Sequence, residues 1–149
     1  MTEKEKDLLN KLLVCIDLGT SLIKIIYLVN GKKVGYMLID PEHLALSNGS
    51  AEHLPTDAGM GLPEDNAWVR LSDNGECHLL GRVARDYQAF PNFKIQKWKI
   101  ATPKILGAIG AIAEREKLGW ELTLDLAVLM PYGEIKSAPQ LKDTTWKVS

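Results

Sequence analysis

The sequence predicts an α/β domain with a mixed sheet, opened by three antiparallel strands and backed by one long helix. Three observations carry this. Two apolar runs, LLVCID (12–17) and SLIKIIYLV (21–29), flank a tight turn near the start of the chain. Asn30-Gly31 joins the second run to a third, VGYMLI (34–39), and Asn-Gly is the strongest two-residue hairpin signal because a type I′ turn needs positive φ at both central positions. Further on, a segment with helical periodicity (102–118) leads into the strand-like LTLDLAVLMP (122–131).

The three successive strands argue against a dinucleotide-binding domain, which would place a helix after the first strand. The runs 12–17, 21–29 and 122–131 are nearly continuous in apolar residues, so strands buried on both faces are expected. Cys15, inside the first run, is then a reduced, buried thiol, and its separation from Cys77 matches no metal site. Thr102 suits a helix N-cap and Pro103 the first helical position. Ile105, Leu106, Ile109 and Ile112 line one helical face, and Gly119 is the expected stop after a last turn carrying Arg115 and Lys117. Gly107 and Gly110 would weaken an isolated helix but let its backbone approach a sheet. Between strands and helix, the Gly-, Pro- and Ser-rich segment 41–66 reads as irregular. AWVRL and CHLLG form a second hairpin around SDNGE, followed by a short helix in RVARDYQAF. The expected organisation is a polar lead-in (1–11), one domain (12–135, with an insertion at about 41–95) and an irregular tail (136–149).

With 149 residues, 46% apolar and 25% charged, the chain has the composition of one soluble globular domain. A net charge of −1 gives no general attraction to nucleic acid or to acidic membranes. No apolar run approaches the roughly 20 residues that span a bilayer, and MTEKEKDLLNK lacks the apolar centre of a signal peptide. A cytoplasmic protein with no membrane partner is expected. FKIQKWKIATPK (93–104) interleaves lysines with Phe93 and Trp98, but as the approach to a helix it reads as a solvated face with Trp98 packed inward, so no direct nucleic-acid contact is predicted. His43, His53 and His78 read as surface-loop residues, and Asp57, Glu64 and Asp65 as loop-solvating carboxylates. Trp68 and Trp120 are expected to anchor packing, and Trp146 to be exposed.

The stretch between the first two strands carries the chemistry. Gly19, Thr20 and Ser21 would present backbone N–H groups and two hydroxyls on a concave edge, which suits phosphate oxygens. Lys24 lies within reach of the same position. Asp17 would repel a phosphate directly, and a magnesium ion held by Asp17 through water removes that conflict. Ordinary turn preferences also explain Gly, Thr and Ser. Lys24 is harder to explain that way, because it interrupts an apolar strand where an unpaired buried charge is costly.

Asp17-x-Gly19-Thr20-Ser21-x-x-Lys24 resembles the first phosphate motif of the actin-like ATPase superfamily, whose members include actin, Hsp70-type chaperones, sugar kinases and bacterial filament proteins of ribonuclease-H-like fold. CHLLGRVA around Gly81 and LDLAVLMPYGEI are most similar to ParM-type plasmid-segregation actins. The resemblance implies that Asp17 holds magnesium through its waters, that Gly19, Thr20 and Ser21 wrap the β/γ-phosphates of ATP, and that Lys24 neutralises them. It spans about residues 12–135, whereas the family closes ATP between two such domains, and neither a second phosphate motif nor a Gly-Gly adenosine motif follows. The expectation is the N-terminal half of a ParM-like filament ATPase that binds Mg-ATP and does not hydrolyse it as an isolated chain. Its partners would be ATP and a second actin-like domain, or copies of itself in a filament. Two alternatives stand beside it: a non-catalytic truncated or split module that binds a full-length relative, and a fragment of a chaperone or sugar kinase.

Overall fold

A computed structural model describes residues 2–4, 8–19, 21–46, 62–65, 67–70, 77–86, 97–119 and 121–142, with the backbone alone at 97–100. The elements run β1 (Asn10–Leu18), β2 (Ile23–Val29), β3 (Lys33–Ile39), β4 (His43–Leu46), β5 (Ala67–Arg70), β6 (Cys77–Leu80), α1 (Arg82–Asp86), α2 (Lys97–Glu116) and β7 (Leu122–Leu129). The main sheet has the order β3-β2-β1-β7. Its first three strands pair antiparallel, and β7 returns parallel to β1 after α2, so the sheet is mixed.

Alternate residues of each strand point to α2 and are buried there. Leu12, Val14 and Ile16 of β1, Ile23 and Ile25 of β2, and Met37 and Ile39 of β3 pack with Ala101, Ile105, Ala108 and Ile112 of the helix. The intervening residues face the other way. Leu13 is 49% exposed, Ile26 59% and Val34 71%, and Cys15 is exposed as well. The two-face burial expected from the continuous apolar runs is thus corrected to burial on one face, and Cys15 is not a buried thiol. The reason is layer count: among the described residues the helices that cover the main sheet, α2 and the segment bearing Leu141, lie on one face, so period-2 geometry leaves half of each strand outside. β7 alternates in the same way between half-buried and exposed positions, as an edge strand rather than a buried one.

The hairpin signal at Asn30-Gly31 is realised, with φ of 52° and 68° as a type I′ turn demands. Asn30 exchanges hydrogen bonds with Lys11, its backbone N–H donating to the Lys11 carbonyl at 2.8 Å and its Oδ1 accepting from the Lys11 N–H at 2.8 Å. Helix α2 begins at Lys97, before Thr102, so Thr102 is a buried interior residue and not the N-cap. Pro103 sits inside the helix, past its first turn, so its missing N–H forfeits one interior hydrogen bond. At the other end the helix stops earlier than expected, at Lys117 in the left-handed conformation (φ 53°), and Gly119 two residues on is left-handed as well (φ 83°). The Lys117 N–H donates to the Glu114 carbonyl at 3.3 Å and the Leu118 N–H to the Ala113 carbonyl at 2.9 Å, the two bonds of a Schellman ending.

The smaller sheet, order β4-β6-β5, is antiparallel throughout. It contains the expected β5–β6 hairpin and adds β4 from the segment expected to be irregular; residues 47–61 lie outside the described set. It meets α2 at Gly107, where a Cβ would collide with the Leu80 side chain, whereas Gly110 faces open space. Only the first of these two glycines therefore serves close approach. The tail is a second correction: a 3-10 turn (Tyr132–Ser137) runs into a helical segment ending at residue 142, and Leu141 is buried in the main core. An apolar groove of about 420 Å³ remains between α2, β7 and this segment, lined by Ile109, Leu126, Val128 and Leu141 among others. Trp68 is 53% exposed and anchors nothing, while Trp120, Trp146 and the Trp98 side chain fall outside the described residues.

Candidate phosphate-binding turn

Strand pairing decides where the candidate residues fall. Leu18 lies opposite Ile23, and both are buried under α2; Asp17 and Lys24, directly opposite each other one position earlier, therefore fall on the uncovered face. Asp17 is half-buried and Lys24 exposed. This resolves the cost of a lysine in an apolar strand, because its ammonium stands in water. The chain reverses between them, with Ser21 exposed at a bend. Gly19 is required by close approach: a Cβ there would collide with the Leu22 carbonyl oxygen. Thr20 lies outside the described residues. Asp17, Gly19, Ser21 and Lys24 are thus gathered at one end of the sheet, around one tight turn.

These residues fit a magnesium-bound phosphate chain in their chemistry. The turn supplies a carboxylate acceptor for a cation, a side-chain ammonium for anionic oxygens, and a backbone that only glycine allows to fold so tightly. They make half an enclosure, since Lys24 and Ser21 stand open to solvent.

Other polar groups, which sequence reasoning read differently, cluster on the α2 side. Lys104, expected on a solvated face, is buried and donates from Nζ to the Pro41 carbonyl at 2.9 Å, joining the helix to the β3–β4 connection. Glu64, expected to solvate a loop, is buried and ion-paired with Arg115, which also donates to the Tyr36 carbonyl at 2.9 Å. The next residue, Glu116, accepts from the Tyr27 hydroxyl at 2.8 Å and pairs with Lys33 at 2.5 Å. Together Arg115 and Glu116 tie the last turn of α2 to β2 and β3. His43 and His78 sit on adjacent strands of the smaller sheet rather than in surface loops. Their rings stack with centroids 5.0 Å apart, and His43 Nε2 lies 2.7 Å from His78 Nδ1. Burial, then the neighbouring His78 and Lys104, pull the His43 pKa down to about 4. His53 and Asp57 lie outside the described residues. No periodic pattern announces these pairs, because each joins residues far apart in the chain.

No family model and no curated protein matches the sequence. Solved structures do match by shape. A crystal structure of the actin-like protein Alp7A superposes with a TM-score of 0.52 over 88% of this chain and 34% of that one, at 13% identity. The apo psk41 ParM protein gives a TM-score of 0.51 over 92% of this chain and 41% of the other, at 16% identity. The chain therefore spans well under half the length of either protein, and over that span it has the actin-like fold.

Proposed function

We propose that this chain is the N-terminal half of a ParM-like, filament-forming actin-like ATPase. It holds the phosphates of Mg-ATP through Asp17, Gly19, Thr20, Ser21 and Lys24, in a cleft completed by a second domain. The observation that carries this reading is the cross-strand pairing of Asp17 with Lys24 beside a turn that only Gly19 permits, in a chain of actin-like fold. Among the described residues no group of three or more His, Cys, Asp or Glu gathers as a metal site. Magnesium near Asp17 would then take its remaining ligands from water and phosphate, the usual habit of this ion. Bound ATP would supply the phosphoanhydride chemistry. This chain's residues would orient the phosphates and balance their charge. A cytoplasmic location and plasmid segregation belong to the same proposal.

A second reading, a non-catalytic module that binds a full-length relative, draws support from the share of the two similar chains that is matched, 34% and 41%. Both similar proteins carry actin-like or ParM names, which favours a filament protein over a chaperone or sugar kinase. Titration calorimetry of the chain with ATP, with and without magnesium, tests the nucleotide site. The expected result is weak, magnesium-dependent binding that Asp17→Ala removes. Absence of heat at millimolar ATP, or binding indifferent to Asp17→Ala, would turn the function toward the second reading.

A further inference from the structure

The uncovered face of the main sheet is large, apolar and laid out with a particular symmetry. In the sheet order β3-β2-β1-β7 the midline runs between β2 and β1. Each row of outward residues can therefore be compared with itself reversed. One row reads Leu38, Lys24, Asp17, Leu129, with charges of opposite sign in the two middle places and leucines at both ends. The next reads Tyr36, Ile26, Cys15, Ala127, with large residues on the β3–β2 side and small ones on the β1–β7 side. The third reads Val34, Leu28, Leu13, Asp125, with leucines in the middle and an apolar residue and a carboxylate at the ends.

We propose that a second copy of this chain docks on this face, sheet against sheet, about a twofold axis running along the strands. That operation places β2 over the partner's β1 and β3 over the partner's β7. Lys24 then meets the partner's Asp17, and Asp17 the partner's Lys24, so both charge pairs form by one symmetry operation. Tyr36 fills the space over the partner's Ala127, and Ile26 that over the partner's Cys15. Leucine meets leucine at Leu38 with Leu129 and at Leu28 with Leu13. Asp125 falls at a corner over the partner's Val34, the one position where the two faces do not match. The match holds within the ~30° rotation usual for stacked sheets, whose inner side chains interdigitate across ~10 Å.

Area sets the strength. Four strands at ~4.8 Å spacing and six residue steps at ~3.4 Å give each copy a projected face of about 400 Å². With side-chain relief, two copies bury on the order of 1,000 Å² of accessible surface, the lower edge for specific association. An interface at that lower edge suits weak, reversible association, so the micromolar range is where it is sought. The dimer does not rest on the nucleotide reading, although it engages Asp17 and Lys24 and so excludes a ligand from that turn while it lasts.

Sedimentation velocity of the whole chain from about 1 to about 100 µM tests the dimer, since mass action populates a micromolar dimer across that range. The expected result is a shift from monomer to dimer, with no larger species within the run. Ile26→Glu, at an exposed position, should leave the circular dichroism unchanged and abolish the shift, as should Tyr36→Lys. Lys24→Asp should abolish it by facing like charges, and the double exchange Asp17→Lys with Lys24→Asp should restore it. A monomer throughout the range, or a dimer insensitive to Ile26→Glu, overturns the proposal. Ile26 lies outside the nucleotide turn, so in I26E calorimetry with ATP still reports on that site independently.

Discussion

His43 and its neighbours show what a single half-buried side chain does to the response of the fold to acid. An unfolded chain protonates an imidazole near pH 6.5, whereas His43 in the fold resists until about 4, because burial disfavours the cation and His78 and Lys104 add to the penalty. Between those values the unfolded state holds more protons, so stability falls as pH drops through this window and levels off below it. The loss is on the order of 3 kcal/mol at full extent. Thermal melts at half-unit steps should show the melting temperature falling between pH 6.5 and 4, with most of the fall removed in His43→Gln; a flat profile in the native chain contradicts it. Glu116 acts in a separate window. Lys33 and then Tyr27 hold its carboxyl below the ordinary 4.5, so its contribution is present above that value and is lost only at more acid pH.

At the scale of the element, α2 carries two glycines with opposite consequences. Gly107 sits against the Leu80 side chain and Gly110 against open space. Gly107→Ala should therefore destabilise the domain by about 1–3 kcal/mol through overpacking. Gly110→Ala should stabilise it by up to about 1 kcal/mol, since alanine is the better helix former and has nothing to strike. Urea denaturation of both variants measures the pair, and the same sign for both would refute this account of the helix–sheet contact. The same helix shows what sequence could and could not reveal. The Asn30-Gly31 turn, the antiparallel pairing of the first three strands and the run of Ile105, Ile109 and Ile112 were legible because each depends on local chemistry or on a short period. The helix start was not, because Thr102-Pro103 is a valid beginning that tertiary packing of Ala101 and Thr102 overrides. Nor was the helix end, where Lys117 accepts a left-handed backbone two residues ahead of the glycine. At the candidate site, residue types and spacing were legible, and the face on which Asp17 and Lys24 lie was not. That depends on strand phase, and an apolar run without clear alternation leaves the phase open.

At the scale of the molecule, the governing fact among the described residues is a main sheet with one covered face and one exposed face. The turn proposed to bind phosphate lies on the bare side, open to water, where charge would stabilise a transition state weakly. The isolated chain should therefore release phosphate from ATP no faster than a protein-free control in a colorimetric assay. A faster rate that disappears in Asp17→Ala would mean that the turn works without a second domain. The sheet also has a rim. Among the described residues β7 is bonded only to β1, and its outer backbone groups belong to no ladder. Such an edge is a template for any incoming strand, whatever its sequence, because the bonds it offers are main-chain bonds. A contact of that kind is not self-limiting, since each chain added brings another free rim with it. Concentrated stocks of this chain should therefore age, with slow and open-ended growth competing against closed assembly. Storage life, more than melting temperature, is then the property that a charge placed on the rim of β7 would improve.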